Sequence, residues 1–577
     1  MILESLYKYA QAHSDELPPA GMEWKEIEYV IVIDEKGKFI RFESKRLDKK
    51  KCVSFLVAKE IKRTSNLTSN ILWDKGKYVL GIGNGTEICH ELFVGIIRDI
   101  AAKHPDHTSI QALRQYYDVP QAEIECLMQQ DPLYEEIINN LGANMSFRLA
   151  LEDELIAEDN NLIKSLNNDS IKDLPEGVCL VTGKKGPIVR LFTATPLPGT
   201  QSTAALVAMQ TDSGYDSYGK SQVFNSPISV EAESAISSVL KKFLGKESVN
   251  KIRLGNRMFL FWGSGDKGIS TDVERGLMSL FQFPDKKQEA FSMENIEKVS
   301  KLFKSIFSGE IKTTLDDSFH ILGLAPNTGR IAVVMWMDSK LKDFAFKILE
   351  HFQDMEIVDN RKLEKRKPYV GVYSIISAAT IGGKISDALP RLVEETVKAV
   401  INGSAYPYPL YMSTLQRIRA ELSEKGVTLS EKGVTVERAA FLKAYINRNE
   451  KYKNQNKPLT VMLDKENSNP GYLCGRLTAV LEKIQTDVNS GDSIRTRYMG
   501  AASSTPAAVL PAMLNLSLHH SEKLSEGSRI YYEQLKQEIL DKISGAGFSA
   551  TLDLADQGRF FVGYYHQRAD LFTKKEK

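Results

Sequence analysis

The chain has 577 residues, a length that predicts about three to five domains, or fewer large ones; 42% of them are hydrophobic and 26% charged, a balance that excludes an intrinsically disordered protein. Its 75 basic and 74 acidic side chains leave a net charge of +1, which excludes a protein coated with cations over its whole surface for binding nucleic acid. No apolar run reaches the roughly 18 residues of a bilayer-spanning helix, and Met1–Lys8 lacks a basic-then-apolar leader, so a cytoplasmic location and no membrane partner are expected.

In chain order, Tyr29–Ile33 reads as a short apolar strand, and Lys38–Phe42 resumes after the turn Asp34-Glu35-Lys36-Gly37, giving a hairpin. Val53–Val57 is a third strand. Ile88, Leu92, Ile96, Ile97 and Ile100 fall near a 3.6-residue period, so a helix is expected there. Residues 121–166 read as helical and acidic. Val178–Gly183 is read as a strand entering a glycine turn, followed by Pro187–Leu191. Met258–Trp262 and Ile331–Trp336 are apolar on both faces, which predicts central strands, and Phe319–Leu324 precedes the second of them. From about Asp387 the strand signals stop and helical patterning runs through 392–401, 439–447, 475–486, 506–524, 531–544 and 552–572. The fold class is therefore α+β: a mixed α/β N-terminal portion with β-sheet cores, followed by an all-helical C-terminal bundle. The expected domains are 1–170, a β-rich part at 171–365, and a helical bundle at 385–577.

Charge is segregated along the chain. Residues 34–83 hold 13 Lys/Arg against 6 Asp/Glu, while 121–160 hold 10 acids and Arg148 alone. A basic run at 361–367 is either a solvated linker or a phosphate-contacting joint. The six residues at 423–428 recur at 430–435, a surface-loop duplication too short to stack as a repeat fold.

Catalytic signatures are absent. Cys52, Cys89, Cys126, Cys179 and Cys474 stand more than thirty residues apart without a CxxC pair, so neither a zinc site nor a redox dithiol is expected, and no metal or cofactor is implied. Gly81-Ile82-Gly83-Asn84-Gly85 lacks the dinucleotide spacing, and neither a phosphate loop nor a GxSxG elbow occurs. His566, between Tyr565 and Gln567, could serve as an acid or base in phosphodiester cleavage, but its helical setting favours a structural hydrogen bond to a neighbouring helix. The densest unexplained signal is Glu60–Tyr78, which mixes cations, amides, hydroxyls and two aromatics without apolar periodicity. It reads either as an exposed polar loop anchored by Trp73 or as a nucleic-acid contact, with Lys and Arg on phosphates and short polar side chains in a groove.

Several blocks share one order. They include Met1-Ile2-Leu3-Glu4-Ser5-Leu6-Tyr7, Glu60-Ile61-Lys62-Arg63-Thr64-Ser65 with Asn70-Ile71-Leu72-Trp73-Asp74, Cys179-Leu180-Val181-Thr182-Gly183, and Ser217-Tyr218-Gly219-Lys220. Later come Phe261-Trp262-Gly263, His320–Asn327, Leu442–Arg448, Gly475–Gln485, Tyr498–Pro506 and Gly563–Arg568. Together they resemble the large subunit of the type I-C CRISPR Cascade, the Csd family (Cas8-type), across nearly the whole chain. The resemblance implies a non-catalytic subunit of an RNA-guided surveillance complex, in which guide pairing reads the target and protein reads the flanking PAM. It implies double-stranded target DNA, CRISPR RNA, a repeated backbone subunit, a crRNA-end-capping subunit and a helicase–nuclease as partners. It also implies a small subunit made by internal initiation, for which Met462 is the candidate start.

On this basis Lys62, Arg63, Lys75 and Lys77 are expected on phosphates of the PAM duplex, with Lys49 and Lys50 in the same basic region. Ser65, Asn66 and Asn70 are expected near base edges. Lys365, Arg366 and Lys367 are expected along the displaced strand, and Arg495 and Arg497 on phosphates in the helical part. The rival readings are a nuclease using His566, His519 or His520, and a scaffold that leaves the flank to another subunit.

Overall fold

The computed structural model describes residues 1–48, 51–61, 68–171, 174–211, 214, 216, 218–246, 248–264, 272–274, 301–306, 308, 317–361, 370–422, 433–453, 458–489 and 493–572. Helix takes 51% and strand 16%, and among the described residues the last strand ends at Lys340, so the α+β class holds. The chain divides into two compact units, one of residues 1–196 and 202–242 and one of 197–201 and 243–577. These limits do not coincide with 170 and 365, because the sheet over 251–340 and the helices after it share one hydrophobic core.

The first unit opens with α1 (Ile2–Ala12), β1 (Met22–Glu26), β2 (Tyr29–Ile33), β3 (Phe39–Ser44), β4 (Ser54–Ala58) and β5 (Trp73–Lys75). There follow α2 (Gly76–Val79), α3 (Glu87–Lys103), α4 (Thr108–Asp118), α5 (Gln121–Met128), α6 (Tyr134–Ile138) and β6 (Asn144–Leu149). A four-stranded sheet has the order β3-β2-β6-β5. The β2–β3 hairpin forms as expected, and its turn requires Gly37: φ is +74°, and a Cβ there would lie 2.4 Å from the Ala112 carbonyl oxygen. Ile97, Ile110 and Leu113 of the covering helices share a core with Ile31, Phe147 and Trp73. The strand at 53–57 also forms, but it pairs antiparallel with β1 in a separate ribbon.

The helical expectation for 121–166 is corrected at its centre. β6 runs through it and pairs in parallel with β2, from Tyr29↔Met145 to Ile33↔Leu149. Met145, Phe147 and Leu149 alternate with Ser146 and Arg148, and all five are buried; burial on both faces hides the polar-out signal that alternation needs. The charge segregation resolves in the same place. Arg46 pairs with Glu136 at 3.2 Å, and Asp131 Oδ2 accepts the Phe42 amide at 2.8 Å. Arg148 joins Arg41 and Lys45 around Glu43. Burial alone would raise the Glu43 carboxyl, but its bonds from Lys45, Arg41 and Arg148 hold it at about 2.

The unit continues with α7 (Asn160–Ile171), β7 (Glu176–Val178), β8 (Lys185–Pro187) and α8 (Val230–Leu244). The strand expected at 178–183 is instead the turn of the β7–β8 hairpin: Cys179 N–H donates to the Lys184 carbonyl and Gly183 N–H to the Cys179 carbonyl.

The second unit carries β9 (Lys251–Leu254), β10 (Arg257–Gly263), β11 (Ser318–Asn327) and β12 (Arg330–Lys340) in an antiparallel sheet ordered β12-β11-β10-β9. β10 is central as expected. β12 is not: it forms an edge, with Val333 exposed and only Met335 buried. Its helices are α9 (Leu341–Met355), α10 (Val372–Ala379), α11 (Pro390–Asn402), α12 (Tyr408–Leu422) and α13 (Val436–Lys453). After these come α14 (Pro470–Val488), α15 (Ser493–Ala502), α16 (Pro506–Ser521), α17 (Glu526–Leu540) and α18 (Leu554–Phe572). Among the described residues no helix is long and apolar enough to cross a membrane.

α14 and α18 approach until only glycine fits. A Cβ on Gly475 would lie 2.0 Å from the Phe560 carbonyl oxygen, and one on Gly563 would lie 2.3 Å from that of Tyr472. Polar bonds fix the register of this pair: Arg476 donates to Gln567 at 2.9 Å, and the Tyr472 hydroxyl meets His566 Nδ1 at 3.0 Å. A second buried polar centre joins α9 to α13. His351 Nδ1 lies 2.8 Å from the Tyr406 hydroxyl, and the Arg448 guanidinium sits 4.1 Å from that ring's centroid.

Burial, aided by Lys443 beside His566 and Arg448 beside His351, lowers both imidazoles to about 3. Unfolded histidine titrates near 6.5, so between these values the unfolded chain binds more protons than the folded one. Stability is therefore fully present above pH 6.5 and is expected to fall as pH drops below it, by about 1.4 kcal/mol per pH unit for each ring. Chemical denaturation at pH 7, 6 and 5 checks this; a midpoint that does not move contradicts it.

Candidate nucleic-acid interface

The segment at 60–78 leaves β4 and returns as β5, the three-residue edge strand of the main sheet. Residues 62–67 lie outside the described residues, and with them Lys62, Arg63, Ser65 and Asn66, as do Lys49, Lys50, Lys365, Arg366 and Lys367. The two ends of the segment are described, and they are bonded to each other. Asn70 Oδ1 accepts the Ile61 amide at 2.8 Å, nine residues earlier in the chain.

Behind Asn70 stands Asp74, fully buried. Its carboxylate accepts the Ser69 hydroxyl at 3.0 Å, the Asn70 amide at 2.9 Å and the Lys75 amide at 2.7 Å. Three donors compensate a carboxylate that burial would otherwise make costly. Trp73 Nε1–H donates to the Ala58 carbonyl at 2.8 Å, tying β5 to the end of β4. Leu72, buried, holds φ at +62°, a left-handed conformation that costs a branched residue of order 1–3 kcal/mol and persists only where the surroundings enforce it. Ser146 Oγ–H on β6 donates to the Leu72 carbonyl at 2.9 Å and helps to hold it there.

This corrects the expectation for Asn70. Its side chain is 2% exposed and bonds the two described ends of the segment to each other, so it positions them and does not reach a base edge. Lys75 and Lys77, beyond the base, are both exposed; the Lys77 ammonium lies 5.5 Å from the Tyr78 ring centroid. Two further cations stand close to the segment's ends. Lys25 on β1 stands 4.9 Å from the Trp73 ring centroid and pairs with Glu60 at 2.6 Å. Lys59 donates to Thr193 Oγ1 at 2.7 Å. Both contacts are made by tertiary structure, and no spacing rule reaches them.

In the second unit Arg361, the first residue of the basic run, is held by Asp359 at 2.6 Å and Glu437 at 3.0 Å. Arg497 is exposed, whereas Arg495 is 5% exposed, which corrects its expected phosphate contact: a buried guanidinium cannot meet a backbone outside the fold. His566 is 1% exposed and engaged by Tyr472, the structural bond its helical setting suggested, whereas His519 is exposed and His520 half-buried. Among the described residues no group of three His, Cys, Asp or Glu side chains is placed to hold a metal ion.

Replacing Asn70 with alanine leaves the Ile61 amide without its acceptor. The expected cost is about 1–3 kcal/mol of unfolding free energy, read as a shift of the denaturant midpoint, while Lys75→Ala and Lys77→Ala leave that midpoint within about 0.5 kcal/mol.

No curated protein matches the chain. The family model described as CRISPR-associated protein (Cas_Csd1) matches residues 3–572, in agreement with the ordered blocks of the sequence. The chain therefore belongs to the Csd1 family of CRISPR-associated proteins, the large subunits of the type I-C Cascade.

Proposed function

We propose that this Cascade subunit reads the PAM in double-stranded DNA, helps to open the duplex and hold the displaced strand, and helps to recruit the helicase–nuclease, without breaking bonds itself. The observation that carries the reading is the built base of the 61–70 segment. A buried Asp74–Asn70 bond set pins both ends of a stretch containing Lys62, Arg63, Ser65 and Asn66, with Lys75 and Lys77 exposed beside it. A loop fixed at its stem delivers side chains to a groove with less ordering cost than a loose one.

In this reading the four cations hold phosphates, Lys49 and Lys50 extend the same surface, and Ser65 and Asn66 approach base edges. Lys365, Arg366, Lys367 and Arg497 serve strands further along. CRISPR RNA, the repeated backbone subunit and the crRNA-end-capping subunit complete the assembly.

The test measures target binding by the assembled complex against a library of flanking sequences. Lys75→Ala with Lys77→Ala is expected to weaken every flank alike and to lower the salt slope by about two. Ser65→Ala with Asn66→Ala is expected to erase discrimination at one flank position, worth about 1–3 kcal/mol. Unchanged discrimination in the second variant favours the scaffold reading, with another subunit reading the flank.

Met462 is exposed and precedes α14, and a product of residues 462–577 keeps the α14–α18 glycine seam whole. This supports the proposal that it is an internal start for a small subunit. Changing the Met462 codon to leucine is expected to remove a short C-terminal polypeptide from expressing cells; its undiminished presence refutes the start.

A further inference from the structure

In the first unit a second surface carries chemistry that the duplex reading leaves unused. Tyr218 is 99% exposed, an extreme for a ring that normally buries its apolar body and wets only its hydroxyl. Its φ is +52°, and Gln222 has φ +51°, two non-glycine residues in the left-handed region within five positions.

Such strain persists only where other bonds enforce it, and around Gln222 they are present. The Asn225 side-chain amide donates to the carbonyls of Lys220 and Gln222, each at 3.1 Å, and Asp216 Oδ1 accepts the Gln222 amide at 3.2 Å. The Val223 amide donates to the Arg190 carbonyl at 3.3 Å, fastening the loop to the chain that follows β8. Arg190 and Lys220 are both exposed. The loop thus presents a bare aromatic ring, with exposed Lys220 two residues on and exposed Arg190 in the segment bonded to it.

We infer that Tyr218 is a stacking platform for an unpaired nucleobase, with Lys220 and Arg190 taking the flanking phosphates of a single strand. The chemistry selects this occupant: an aromatic face accepts any base, cations track the backbone, and a base inside a duplex has no free face to offer. The strand is either RNA or DNA, since stacking does not distinguish them. The inference rests on the reading of the chain as a nucleic-acid-binding subunit and adds a single-stranded site apart from the 61–77 segment.

The experiment uses the full chain with fluorescein-labelled twelve-nucleotide single strands, oligo-dT and oligo-U, and with a mixed-sequence duplex. Tyr218→Ala is expected to weaken single-strand binding about tenfold and to leave duplex binding unchanged. Tyr218→Phe is expected to bind as the parent does, because the ring and not the hydroxyl is used. Tyr218→Trp is expected to report the bound base by quenched emission. Lys75→Ala with Lys77→Ala is expected to give the opposite pattern, losing duplex and keeping single strand. The stronger of the two oligonucleotide arms names the strand. Equal single-strand affinity in Tyr218→Ala, or no single-strand binding by a parent chain that still binds duplex, overturns the inference and leaves the duplex proposal standing. Loss limited to the duplex in the lysine variant supports both.

Discussion

A single buried carboxylate organises the stretch that leads into β5. Asp74 receives two backbone amides and one hydroxyl from the three residues Ser69, Asn70 and Lys75. Because a carboxylate out of water is tolerated only when its oxygens are bonded, those three residues are held wherever Asp74 is. Asn70 then fixes Ile61, Trp73 fixes Ala58, and the strained Leu72 is held by Ser146. The segment most suited by composition to touch DNA therefore rises from a stem whose geometry the sheet determines. Stiffness belongs to the stem and chemistry to what it carries.

The regular elements were legible wherever one periodicity dominated. The β2–β3 hairpin, the helix at 87–103 and the long C-terminal helices all declare themselves in the sequence. Legibility failed where burial was two-sided or pairing was distant. β6 hides in an acidic stretch because Ser146 and Arg148 are as buried as Phe147. β12 looks central by composition, yet it lies at an edge with a partner on one side in the sheet. α9 was passed over although its apolar residues recur at helical spacing: Leu341, Phe344, Ala345, Ile348 and Leu349.

Within the 60–78 segment, composition could not say which polar residues face inward. Asn66 and Asn70 are the same residue type four positions apart, and only the fold reveals that Asn70 is spent on the Ile61 amide. Arg495 and Arg497 differ in the same way, two positions apart on α15 with opposite exposure. The likeness of the ordered blocks to the Csd family was the more robust signal, because it depends on joint order across the chain and not on any one side chain's direction.

The pairing of the two oppositely charged stretches bears on how DNA is found. Glu43 and Glu136 absorb Arg41, Lys45, Arg46 and Arg148 within one unit, and the whole chain carries a formal charge of +1. Such a molecule casts little field beyond one screening length. Whatever charge contacts it makes are therefore short-ranged.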